Sequence, residues 1–184
     1  MSLIDENAYG LWFSYFEIED DEYGLEPDDF VGRFLRFRGI VVSALQEKPP
    51  TEGYRLTYLG HALYVEFAEG DECNDPFSVL KHVRATLEDA EIPSVAVLTH
   101  GSRWVPDGEV EPSEVAHVSY PSEPLRRALY ADTATRPAED EEAVEGWGPG
   151  LYVDTEAIES MGKTLKNAPT ALAVASATFY RFGR

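Results

Sequence analysis

A single cysteine, Cys73, stands in the whole chain. One thiol cannot close an intramolecular disulfide or build a Cys-based metal site, and such sparing use suits a reducing cytosol. Basic residues are scarce as well: 15 Lys+Arg oppose 34 Asp+Glu, for a formal net charge of −19. Met1–Gly32 carries carboxylates and no base, while Ser160–Arg184 carries bases and no acid. That balance argues against nucleic acid or anionic lipid as a partner, because phosphate contacts need clustered Lys and Arg. Long apolar runs are missing too. Ala168–Ala177 is broken by Pro169, Thr170 and Ser176 and falls far short of a bilayer span. The first residues lack the basic and apolar regions of a signal peptide, so a cytoplasmic location is expected. No phosphate-cradling Gly-rich loop, Walker motif or dinucleotide fingerprint occurs, so a nucleotide-dependent enzyme is not expected, and neither is a cofactor or a metal.

What is present is a core. Hydrophobic residues make up 43% of the 184, with ten Tyr, nine Phe and three Trp, which argues against global disorder. Tyr9–Ile18 alternates: Leu11, Phe13 and Tyr15 share one face, Trp12, Ser14 and Phe16 the other, so a central strand is expected. Pro27 with Asp28 and Asp29 reads as a helix start, Phe30, Phe34 and Phe37 as its buried stripe, and Gly39 as its stop. Ile40–Leu45 reads as a strand. Tyr54–Phe67 is long for one strand, with a bend or bulge at Gly60. Pro76 opens a second helix with Phe77, Leu80, Val83 and Leu87 inward, and Ser94–Thr99 is an apolar strand.

The element order β-α-β-β-α-β over Tyr9–Thr99 predicts an α+β fold, a ferredoxin-like antiparallel sheet with its helices on one face, plus a C-terminal α/β extension. Residues 1–184 read as one acidic domain, with a core at 9–100 and an extension at 101–184. In the extension, Val115–Tyr120 and Thr170–Phe182 read as strands, Pro124–Tyr130 and Thr155–Leu165 as helices, and Arg136–Gly150 as an excursion.

Four groups of residues invite a functional reading. The carboxylates Glu19, Asp20, Asp21, Glu22, Asp28 and Asp29 can steer a basic protein toward the surface, and Trp147, flanked by glycines, can anchor it. Without Gly-punctuated spacing the same acids are a poor calcium loop. Arg33, Arg36 and Arg38 interleave with Phe34 and Phe37, and Asp29–Arg33 is well spaced for a helical ion pair. Of His61, His82, His100 and His117, none is paired at helical spacing with another, as a metal site on one helix would need. His100-Gly101-Ser102-Arg103 reads as a loop past a strand end, where His100 can serve as base and Ser102 as nucleophile near Asp107. The composition therefore favours a non-enzymatic protein-binding module docking on a basic partner, in the manner of immunity proteins, antitoxins or nucleic-acid mimics. A small enzyme or ligand-binding protein using His100, Ser102 and Arg103 is the alternative, and a halophilic domain without a partner is the third. An open sheet edge also allows a homodimer.

Overall fold

The computed structural model describes residues 3–16, 27–70, 72, 74–106, 122–136, 146–163 and 170–182. One seven-stranded sheet organises them, in the order β2-β3-β1-β4-β5-β7-β6. Strand β1 (Leu3–Tyr15) is central, antiparallel to β3 (Ala62–Ala68) on one side and β4 (Ser94–Pro106) on the other. Its two-faced apolar pattern explains that place. Leu11, Phe13 and Tyr15 are buried on one face and Trp12 on the other, each stabilising the fold by up to about 1.5–3 kcal/mol. Strand β2 (Arg55–Leu59) closes a hairpin with β3 through Gly60, whose φ of 55° lies in the left-handed region that glycine tolerates.

The expected β-α-β-β-α-β order is found, although from different strands. Helix α1 runs from Pro27 to Glu47, so Ile40–Leu45 is helical. Phe37, Val41, Ala44 and Leu45 continue one buried stripe, and this tertiary packing overrides the β-branched run. Gly39 is exposed within the helix and stops nothing. The missing strand is restored because Tyr54–Phe67 is two strands, β2 and β3. Helix α2 (Pro76–Asp89) buries Val79, Leu80, Val83 and Leu87 as its spacing predicts.

The helices do not all share one face. Helices α1 and α2 pack with Leu11, Phe13, Leu63, Val65, Ala96 and Leu98. Helix α3 (Glu123–Ala134) lies on the opposite face, where Ala128 and Ala131 meet Trp12, Tyr64, Val95, Val97 and Tyr152. Because β1 and β4 are apolar on both faces, they call for cover on both. Strand β5 (Gly150–Asp154) runs parallel to β4, and α4 (Thr155–Ser160) follows it directly, shorter than the expected helix. Thr170–Phe182 is a hairpin, β6 (Thr170–Val174) and β7 (Ala177–Phe182), and not one strand. Its turn includes Ala175, at a φ of 50°. The expected strand at Val115–Tyr120, and Cys73, lie outside the described residues.

Candidate functional site

Helix α3 carries polar side chains along the face it turns to the sheet, and β1 receives them at its C-terminal end. Asp132, 4% exposed, accepts hydrogen bonds from Ser14 Oγ through Oδ1, and from Arg136 Nε at 3.4 Å through either oxygen. His61 Nε2, from the β2–β3 turn, lies 2.8 Å from Asp132 Oδ2. Arg136 also donates through Nη2 to Ser14 Oγ at 3.1 Å and to the Tyr15 carbonyl at 2.6 Å. Its guanidinium lies 5.0 Å from the Phe16 ring centre. Burial pushes the Asp132 carboxyl up, but the His61 contact, the Arg136 charge and the Ser14 bond outweigh it and hold the group below the usual carboxylate range.

The same strand end borders a cavity of about 380 Å³. Tyr15 and Phe16 of β1, Arg33 and Arg36 of α1, and Ala90, Glu91, Ile92 and Pro93 of the α2–β4 turn line it. The walls are tied together, since the Phe16 N–H donates to the Pro93 carbonyl at 3.0 Å. Arg33 and Arg36 of α1 thus face the cavity, while Arg136, just past the end of α3, and His61 meet on Asp132 near the same strand end.

Two further networks sit at the other end of α3. Glu66, 7% exposed, accepts from Tyr64 Oη at 2.7 Å, Ser122 Oγ at 2.5 Å and Arg103 Nη1 at 3.2 Å. Burial and the Glu66 charge push the Tyr64 hydroxyl well above its ordinary value. Gly10 makes room for this arrangement: a Cβ there would lie 2.7 Å from Tyr64 Oη and 2.8 Å from Thr99 Oγ1. Beside it, Arg127 bonds Glu123 at 2.7 Å, Asp154 at 3.4 Å, and Glu156. Asp154 is fully buried and caps α4, Oδ1 accepting from the Ala157 N–H at 2.7 Å. Burial pushes its carboxyl up to about 7, against the bonds from Ala157 and His100 and the Arg127 charge.

These positions revise the site expected at residues 100–103. His100, Ser102 and Arg103 belong to β4 and not to a loop. Alternation along β4 puts Arg103 on the face opposite His100 and Ser102. His100 packs on the Tyr9 ring at 4.9 Å, and Arg103 pairs with Glu6 and Glu66 on the opposite face. Ser102 donates its backbone N–H to Glu123 at 3.3 Å, and Arg103, held by Glu6 and Glu66, does not converge with His100 and Ser102. Trp147 stacks on Tyr152 at 5.0 Å and meets Phe179 edge-on at 6.1 Å, within the α3-side core. Glu19, Asp20, Asp21, Glu22 and Asp107 lie outside the described residues, and Asp28 and Asp29 are placed only by backbone, in the first turn of α1. His82 lies 3.4 Å from Glu47, linking α2 to α1. Sequence reasoning missed Ser14, Asp132 and Arg136, whose one local signal is the i, i+4 spacing of Asp132 and Arg136.

No family model matches the sequence, and no curated protein does. Solved structures do match. The adenylyl cyclase CyaB from P. aeruginosa superposes with a TM-score of 0.61 at 9% identity, over 100% of this chain and 97% of that one. The guanylate cyclase domain of RhGC from Catenaria anguillulae, solved with GTP, gives 0.61 at 10% identity, over 98% and 99%. A bacterial light-regulated adenylyl cyclase gives 0.63 at 10% identity, over 99% of this chain and 52% of that one. The chain shares the fold of nucleotide cyclases. That finding overturns the expectation of a non-enzymatic docking module and, with it, the immunity-protein and protein-binding descriptions. Net charge reports on solubility and association and not on fold, so it was never able to separate an acidic enzyme domain from an acidic binder. Among the described residues, no helix is long and apolar enough to cross a membrane.

Proposed function

We propose that the chain is a nucleotide-cyclase-like domain that takes a nucleoside triphosphate as its ligand. The observation that carries this reading is the likeness to adenylyl and guanylyl cyclases over 97–100% of the chain. In this reading β1-α1-β2-β3-α2-β4 is a ferredoxin-like half, the later strands extend the same sheet, and all belong to one domain. In a cyclisation the ribose 3′ oxygen attacks the α-phosphorus of the same nucleotide, its proton passes to a base, and pyrophosphate leaves. His61, oriented by Asp132 and with a half-exposed side chain, is the described group best suited to take a proton. Arginines at the end of β1 offset the phosphate charge.

Phosphoryl transfer commonly relies on a divalent cation held by carboxylates, which bridges the phosphates and neutralises developing charge. Here both oxygens of Asp132 are committed to Ser14, His61 and Arg136. Among the described residues no group of three or more His, Cys, Asp or Glu side chains comes together to hold a metal ion. The described donor set does not fit such an ion. The committed carboxylate favours a second reading, in which the domain binds its nucleotide without turning it over.

The test is incubation with ATP and with GTP, in Mg²⁺ and in Mn²⁺, with products separated by liquid chromatography and mass spectrometry. Cyclic nucleotide formed by the wild type and lost in His61→Gln supports turnover. Unchanged nucleotide in every condition overturns turnover, and saturable nucleotide binding by that same protein then supports the second reading.

A further inference from the structure

The cavity beside β1 holds an unexplained pair of charges. Arg33 and Arg36 both line it, and neither has a carboxylate partner among the described residues. Arg84, Arg103, Arg126, Arg127 and Arg136 each meet an acid, Arg38 stacks on Phe34 and Tyr58, and Arg181 bonds backbone carbonyls, whereas Arg33 and Arg36 face the cavity. Two cations at i, i+3 on one helix repel each other. In a chain of net charge −19, acids to relieve them are plentiful, yet no described one does. The Asp29–Arg33 pair that spacing suggests rests on an Asp29 side chain outside the described ones.

The rest of the lining suits an organic anion. Tyr15, Phe16, Ala90, Ile92 and Pro93 make apolar walls, and Glu91 adds one carboxylate acceptor. Glu91 sits at a φ of 58°, a left-handed conformation uncommon for a residue with a side chain. Its N–H is held by the Glu88 carbonyl at 2.9 Å, so the turn that forms this wall is fixed. The volume, about 380 Å³, falls within the range of small-molecule sites, roughly 300–1,000 Å³. Guanidinium groups match phosphate oxygens in pairs, an aromatic wall suits a flat base, and a carboxylate accepts from an amine or a ribose hydroxyl.

We propose that this cavity binds the phosphate end of a nucleoside di- or triphosphate through Arg33 and Arg36, without a divalent cation. The inference rests on the nucleotide reading for the identity of the ligand, but not for the presence of an anion site. It places ligand phosphate against α1 and the α2–β4 turn, apart from Asp132.

Calorimetric titration of the full chain in EDTA tests it, with GTP, ATP, tripolyphosphate and guanosine as separate probes. The variants are Arg33→Gln/Arg36→Gln and, as a control on an exposed arginine of β2, Arg55→Gln. Folding of each is checked by circular dichroism. The expected result is binding of a nucleoside triphosphate that the double variant weakens at least about tenfold, as expected for losing charge-assisted hydrogen bonds. Arg55→Gln should stay within about twofold of wild type, tripolyphosphate should compete, and guanosine alone should not bind. Nucleotide binding that the double variant leaves unchanged overturns the cavity assignment and leaves the nucleotide reading standing. Arginine-dependent binding of tripolyphosphate with no nucleotide binding keeps the anion site and overturns the nucleotide reading. Absence of binding by all four probes overturns the inference.

Discussion

Asp154 offers a test of how the buried polar groups of this fold are balanced. It is fully buried at the junction of β5 and α4, and burial lifts its carboxyl to about 7. In the unfolded chain the group titrates near 3.9. The folded state therefore binds the proton more tightly. Its contribution to stability is fully present below the unfolded value and is lost as pH rises through about 7. With those two values, the contribution falls by roughly 2.5 kcal/mol between about pH 5 and pH 8. Asp154→Asn removes the titration and keeps an oxygen able to cap α4, since Asn serves at helix starts as Asp does. The stability of the variant relative to wild type should accordingly rise by roughly 2.5 kcal/mol over that interval. Urea unfolding followed by tryptophan fluorescence, at several pH values, measures the difference directly. A variant-minus-wild-type gap that stays flat with pH would refute the reasoning. It would mean that Arg127, 3.4 Å away, keeps the carboxylate charged throughout.

Other consequences follow from the same contacts. Asp132→Ala leaves Arg136, His61 and Ser14 without their shared acceptor and should cost about 1–3 kcal/mol in chemical denaturation, since Arg136 and His61 keep access to water. His61→Ala, from a side chain 46% exposed, should cost under about 1 kcal/mol. Because Asp132 is held below the usual carboxylate range, its contribution is present above the unfolded value and disappears as pH falls through its folded one, so Asp132→Asn should lower stability near neutrality and converge on wild type in acid. Gly10→Ala drives a methyl group against Tyr64 Oη and Thr99 Oγ1 and should destabilise by about 1–3 kcal/mol, read from the shift in the urea midpoint.

Strong periodicity was legible and its boundaries were not. The alternation of Leu11, Trp12 and Phe13 marks β1 as central, and the stripe Leu80, Val83, Leu87 marks α2, because each pattern repeats within one element. The end of α1 was misread because Gly39 and the Val41-Val42 pair carry the local signals of a stop and a strand. The stripe from Phe37 to Leu45 overrides both once it meets the sheet. Helix α3 on the second face follows from the apolar outer residues Trp12, Val95 and Val97, whose cover could have been anticipated. The candidate site was hidden for a different reason. Ser14 and Asp132 stand 118 positions apart, and His61 and Asp132 stand 71 apart, so only the topology brings them together. The segment 100–103 looked loop-like because it is polar, yet β4 continues through it opposite Glu6 and Asn7. Charge also drew weight away from the interior, where Glu66, Asp132 and Asp154 are buried acids matched to Arg103, Arg136 and Arg127.

The most direct measurement is calorimetric titration of the wild-type chain with GTP and with ATP in the presence of Mg²⁺. A nucleotide-handling domain should show saturable binding of at least one of them, displaced by the other or by pyrophosphate. A folded protein that takes up neither nucleotide would contradict the account and leave the shared fold without a nucleotide function.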